Sequence, residues 1–204
     1  MKSIRARWFT ACSVAIILFA AILIAPKATR SEPPAGKSTD AEFSPYVSKT
    51  GEISKPTDYR DRFLHLGSWA VATKENGPVV EMHNVYTPAK VIEAYRRDGK
   101  FPDGATLVKE ITNVSADNLT TGRSSWSTQT KVWFVMVKDS KGRFPDNPLW
   151  GDGWGWALFK ADAPAKNTAT DYTADCKTCH IPARQDDWIY VRGYPVLGKH
   201  ASPR

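Results

Sequence analysis

Near the C-terminus the chain runs Cys176, Lys177, Thr178, Cys179, His180. Two thiols separated by two residues and followed directly by an imidazole form the C-x-x-C-H pattern. Each thiol can add to one of the two vinyl groups of a haem. The next residue is then held beneath the iron and can supply an axial nitrogen. The pattern predicts one covalently bound haem c, with Cys176 and Cys179 as attachment points and His180 as metal ligand. Rival chemistries use less of the pattern. A structural zinc site needs about four ligands, and the only other cysteine, Cys12, lies in a targeting-like segment. A redox pair of cysteines is expected beside a βαβ unit, and none surrounds this one. A disulfide leaves His180 without a role.

Chemistry of this kind needs a walled pocket, and the polypeptide before the motif must build it. Lys131 to Lys138 (KVWFVMVK) is the clearest strand. Val132, Phe134 and Met136 fall on one face and Trp133, Val135 and Val137 on the other, as in a strand covered on both sides. Further strands are predicted over 68–74, 79–86, 105–111, 154–160 and 187–192, with turns at Asn76-Gly77-Pro78 and Asp139-Ser140-Lys141-Gly142. Short helices are predicted over 57–64, stopped by Gly67, over 88–97, and over 171–178 beneath the cysteines. This is an α+β domain, mostly antiparallel β-sheet with a few short helices and a C-terminal haem motif.

Two groups on these strands could act in the pocket. A period of two places Lys109 with Ala105, Leu107 and Ile111 on one apolar face. A buried ammonium there is costly unless paired or altered; the alternative is a lysine that snorkels its amine to water. His83, in the strand over 79–86, suits a distal acid/base or a sixth ligand, or a hydrogen-bonded structural role. Met82 and Met136 are axial candidates only in a six-coordinate electron-transfer reading, and Met136 also reads as core packing. Trp150, Trp154, Trp156 and Phe159 wall the haem or pack the sheet.

The N-terminus agrees with the haem motif. Lys2, Arg5 and Arg7 precede an uncharged apolar run from Ala11 to Ala25, and Pro26 ends it. Residues 1–28 read as a signal peptide or an N-terminal membrane anchor. Residues 29–56, rich in Pro, Ser, Thr and charge, read as a flexible linker. Residues 57–204 are long enough for one haem domain. Haem is attached outside the cytoplasmic membrane in bacteria, so the expected location is the periplasm, free or anchored. The first thirty residues hold five basic and no acidic side chains, which accounts for most of the net charge of +7. With the rest nearly balanced, nucleic acid is excluded as a partner.

Phe101-Pro102-Asp103-Gly104-Ala105 leading to Lys109, the run Trp133 to Lys138 with Asp139-Ser140, Gly153-Trp154-Gly155-Trp156 and the late C-x-x-C-H together resemble the cytochrome P-460 family. The resemblance covers Tyr59 to Leu197. It implies a large antiparallel sheet, a homodimer, and a haem with an open distal position. It also implies a lysine linked covalently to the haem ring, for which Lys109 is the positional match. A carboxylate near the haem is implied too, with Glu81, Asp171 and Asp175 as candidates. Family members include hydroxylamine-oxidising enzymes, and the related cytochromes c′-beta bind nitric oxide. The expected function is oxidation of a small nitrogen compound such as hydroxylamine, with electrons passing to a partner cytochrome, and Lys109 and His83 as catalytic residues. Nitric oxide binding without turnover and plain electron transfer are the alternatives.

Overall fold

Alternating side chains along successive strands give this chain one sheet with two different faces. A computed structural model describes residues 43–201. The elements are α1 (Tyr59–Arg62), β1 (Leu64–Ala72), β2 (Val79–Thr87), α2 (Ala89–Asp98), β3 (Thr106–Leu119), β4 (Gly122–Lys138), β5 (Trp150–Gly151), β6 (Trp154–Lys160) and β7 (Ala163–Asn167). The strands form one antiparallel sheet in the order β1-β2-β3-β4-β6-β5, with β7 also paired to β6. The α+β architecture expected from the sequence is the one observed.

Register decides which residues meet. Lys109 lies opposite Val85 on β2 and opposite Phe134 on β4. Met136 pairs with Leu107 and with Trp156. These side chains share a face with Trp154, and α2 and the C-terminal segment pack over it through Val91, Ile92, Tyr95, Trp188 and Leu197. The opposite face carries Val108, Val135, Val137, Ala157 and Phe159 under Tyr59 and Phe63. A strand buried on both sides is what the doubly apolar run in β4 requires.

Helix α2 follows from local rules. Val91, Ile92 and Tyr95 fall on one side at helical spacing. Pro88 precedes the first turn, and Gly99 ends the helix in the left-handed conformation with its N–H bonded to the Tyr95 carbonyl. At Gly104 (φ +75°) a Cβ would meet the Phe43 carbonyl oxygen at 2.1 Å. The turn that leads into β3 therefore needs glycine for close approach as well as for its dihedral angle.

Several expectations change. Gly67 does not stop a helix; α1 is a single turn, and Gly67 sits inside β1 at a register shift after His65. The strand expected over 187–192 does not form. Asp187 and Trp188 have positive φ, and Val191–Gly193 is a 3₁₀ turn. Strands β3 and β4 run well past their apolar parts into a polar ribbon that ends at Leu119 and Gly122. Of the expected linker, residues 43–56 are described and are not free of the core. Ile53 is buried, Phe43, Tyr46 and Val47 pack beside it, and Val47 bridges to Ile53. The expected signal or anchor segment lies outside the described residues. Among the described residues no helix is long and apolar enough to cross a membrane.

The packing of α2 against the sheet is testable. Ile92 is buried in the cluster that also contains Leu66 and Leu197. Ile92→Ala is expected to destabilise the fold by about 2–5 kcal/mol, measured as a lower midpoint in chemical denaturation.

Candidate functional site

A cavity of about 320 Å³ lies between the sheet and the C-terminal segment. Leu107, Lys109, Ile111, Phe134, Met136 and Trp156 line it from the sheet; Cys176, Cys179, His180, Ile189, Tyr190 and Tyr194 line it from the segment. Residues 70 apart in sequence, Lys109 and Cys179, thus share one space because β3 is central in the sheet.

The cysteines sit on a continuous helical stretch: one π turn over Thr173–Lys177, then an α turn, α3, over Thr178–His180. Its start is fixed by carboxylates. Asp171 accepts from the Ala174 N–H at 2.8 Å, and Asp175 accepts from the Thr170 and Asp171 N–H groups at 2.7 and 3.2 Å. Both aspartates cap this turn, although Asp175 also reaches the cavity wall. Cys176 is buried and Cys179 exposed, and they are not joined in a disulfide. Burial, with Asp175 adding to it, pushes the Cys176 thiol up to about 11.

His180 is oriented by its backbone partner. Its Nδ1 lies 2.7 Å from the Trp188 carbonyl oxygen. A carbonyl can only accept, so Nδ1 carries the proton and Nε2 keeps its lone pair for a ligand. The Trp156 ring meets the imidazole edge-on at 4.7 Å between centroids. Burial holds the imidazole below its usual pKa, the neutral form that metal ligation needs.

Lys109 points its amine into the cavity, 4.6 Å from the centre of the Phe134 ring. Among the described residues it has neither a hydrogen bond nor an ion-pair partner. Burial pulls its ammonium below the ordinary lysine range. The snorkelling alternative does not apply to this side chain.

His83 is not part of the cavity wall. It lies on the same sheet face, opposite Ile111, two pairs further along β2 from Val85. Its Nε2 is 3.2 Å from Glu81, and Glu81 is also paired with Lys131. Of the three candidate carboxylates, Glu81 is thus the one tied to a histidine. Met136 lines the cavity, whereas Met82 alternates to the other side of β2. The tryptophans divide as well: Trp154 and Trp156 stand on the cavity side, while Trp150 and Phe159 pack with the second core.

Sequence reasoning missed Tyr190 and Tyr194. Read as a strand, the segment over 187–192 gave Tyr190 no role in the pocket, and Tyr194 lies just beyond it. In the structure both tyrosines line the cavity, and the Tyr190 hydroxyl donates to the Cys179 carbonyl at 2.6 Å.

Two thiols, an imidazole with a free Nε2 and a mostly apolar wall at one cavity are a donor set that fits a haem. The cytochrome P460 family model matches residues 56–191, well over half of the chain. The chain belongs to the cytochrome P460 family. Membership implies haem binding. No curated protein matches the chain.

The half-buried His83 gives this cytochrome a pH-dependent stability. Burial depresses its folded pKa, against an opposing hydrogen bond to Glu81. The stability is fully present above the unfolded value of about 6.5 and is lost as pH falls through the lower folded value. Thermal melts of the wild type are expected to weaken below about pH 6.5, and His83→Asn to remove part of that acid sensitivity.

Proposed function

We propose that this chain is a periplasmic mono-haem c-type cytochrome that oxidises a small nitrogen compound, with hydroxylamine as the substrate class. Cys176 and Cys179 hold the single haem by thioethers, His180 Nε2 is its proximal metal ligand, and Lys109 is the residue linked to the ring. The observation that carries this reading is the desolvated Lys109 amine, which shares one cavity with both thiols and the imidazole.

The haem supplies a redox-active iron that can bind a small nitrogen ligand and pass electrons to an external acceptor. The chain's residues do the rest. Phe134, Leu107, Ile111 and Met136 exclude water from the sheet side of the pocket. His83, neutral at periplasmic pH because of its burial, accepts protons that substrate oxidation releases. Glu81 accepts a hydrogen bond from His83 Nε2, and Lys131 holds Glu81 in place. A partner cytochrome takes the electrons.

The chain works as a homodimer in this reading. Among the described residues, the β3–β4 ribbon beyond Asn113 pairs with no other strand, and it exposes Leu119 and Trp126. A two-stranded ribbon is marginal in water by itself, and a second copy would cover these side chains.

One observation favours a second reading. Apart from Lys109, the sheet side of the cavity is apolar, and its carboxylate, Glu81, stands outside the wall. Such a pocket also suits capture of nitric oxide without turnover. The decisive experiment is the spectrum and tryptic map of periplasmically matured protein. One haem should remain on the peptide that contains Cys176 and Cys179 after denaturation. Lys109 should be recovered as a haem conjugate, and the ferrous Soret band should lie far to the red of an ordinary c-type haem. Lys109→Leu is expected to abolish that band and hydroxylamine oxidation, while haem attachment and carbon monoxide binding persist. An ordinary wild-type spectrum with unmodified Lys109 would overturn the enzyme reading in favour of gas binding.

A further inference from the structure

The carbonyl that orients His180 belongs to an unusual stretch of backbone. Asp187 and Trp188 are consecutive and both left-handed, with φ of 58° and 66°. Neither is glycine, and a bulky residue in this region is a genuine outlier. Surrounding structure must therefore hold the pair in place.

Three contacts do so, and two come from the sheet. Lys138 Nζ lies 2.6 Å from Asp187 Oδ1. The Trp154 indole N–H donates to the Asp187 carbonyl at 3.0 Å. The Trp188 N–H donates to the Ala183 carbonyl at 2.9 Å, closing the turn onto the end of the helical stretch. Lys138 and Trp154 are cross-strand partners on β4 and β6, and the Lys138 ammonium also lies 5.0 Å from the Trp154 ring centre. The Trp154 side chain is fully buried, so this anchor is part of the core. The chain of contacts runs from the sheet to Asp187, along the backbone to the Trp188 carbonyl, and across 2.7 Å to His180 Nδ1.

We propose that Lys138 and Asp187, seated on Trp154, are positioning residues that lock the Trp188 carbonyl onto His180 Nδ1 and so set how strongly the imidazole donates to the haem iron. This inference rests on His180 being the proximal ligand. A fixed N–H···O=C bond makes the imidazole a stronger donor. A stronger donor favours the oxidised iron and stiffens the iron–histidine bond. Loosening the anchor should therefore raise the midpoint potential and lower the iron–histidine stretching frequency.

A purely electrostatic role makes a different prediction. Removing a lysine cation by itself stabilises the oxidised, more positive iron and lowers the potential. Lys138→Met thus shifts the potential in opposite directions under the two accounts. The experiment uses mature holoprotein, with resonance Raman of the ferrous state and spectroelectrochemical titration. Lys138→Met is expected to raise the potential and move the iron–histidine band to lower frequency, and Lys138→Arg to restore both. Asp187→Ala, at a partly exposed side chain, should lower the same band and keeps the test available if Lys138→Met fails to mature. A lowered potential in Lys138→Met, or an unmoved band in Asp187→Ala, would overturn the inference. His180→Ala separates the underlying assignment. If the iron–histidine band survives there, the ligand reading fails. If it disappears there yet stays unmoved in the anchor variants, only the positioning role fails.

Discussion

A cation taken out of water without an anion is the constraint around which this fold is arranged. Lys109 and Glu110 are neighbours on β3, so the period of two sends them to opposite faces of the same sheet. Glu110, almost wholly buried, receives the Arg60 guanidinium and the Thr130 hydroxyl. Among the described residues, Lys109 receives only the face of Phe134. Glu110 is satisfied in the ordinary way, whereas the partly buried Lys109 has no ion-pair partner among the described residues. An isolated desolvated charge is expensive enough that its pKa shifts or its chemistry changes. The proposed bond to a haem ring resolves this cost by removing the charge, and the apolar walls that make the cost high also shape the pocket.

The second half of the site has little regular structure and depends on specific polar contacts instead. From Thr173 onward the backbone passes through π, α and 3₁₀ turns within fourteen residues. Each irregularity has a partner. Asp171 and Asp175 cap the first turn. Asp152 accepts from the Tyr172 hydroxyl and pairs with Lys177, between the two cysteines, at 2.9 Å. Tyr172 stacks on Trp156, which in turn meets His180. The sheet thus grips the motif at both ends: through Trp156 and Asp152 before the cysteines, and through Lys138 and Trp154 after the histidine.

What the sequence revealed follows from which signals are local. The C-x-x-C-H run is a covalent pattern; Lys109 was singled out as the positional match in the family resemblance, and alternation within one strand, a local property, placed it on an apolar face. The doubly apolar run of β4 likewise announced its burial. The polar ends of β3 and β4 carry no apolar alternation, so their pairing depends on the hairpin as a whole. The segment over 187–192 reads as a strand by composition. It fails as one because Asp187 and Trp188 adopt positive φ, which tertiary contacts from Lys138 and Trp154 impose. His83 was singled out correctly as a strand histidine, but its distance from the wall depended on the β2–β3 register. The contribution of Phe43, Tyr46 and Ile53 to the second core was hidden within a stretch whose composition is that of a linker.

The placement of polarity has a consequence for what the pocket can hold. Among the described residues, Lys109 is the only cationic side chain on the sheet wall, while His83, Glu81 and Lys131 form their cluster beyond Ile111. A cationic ligand would lose its hydration against that apolar wall, whereas a neutral molecule of a few atoms loses far less. Burial lowers the His83 pKa; in the proposed function this imidazole would accept a proton released in the pocket, with Glu81 stabilising the resulting imidazolium. Because Glu81 is itself paired with Lys131, its carboxylate stays ionised as that charge arrives. In the proposed function the apolar wall favours small neutral ligands, and the cluster beside it would decide whether such a ligand is merely held or deprotonated.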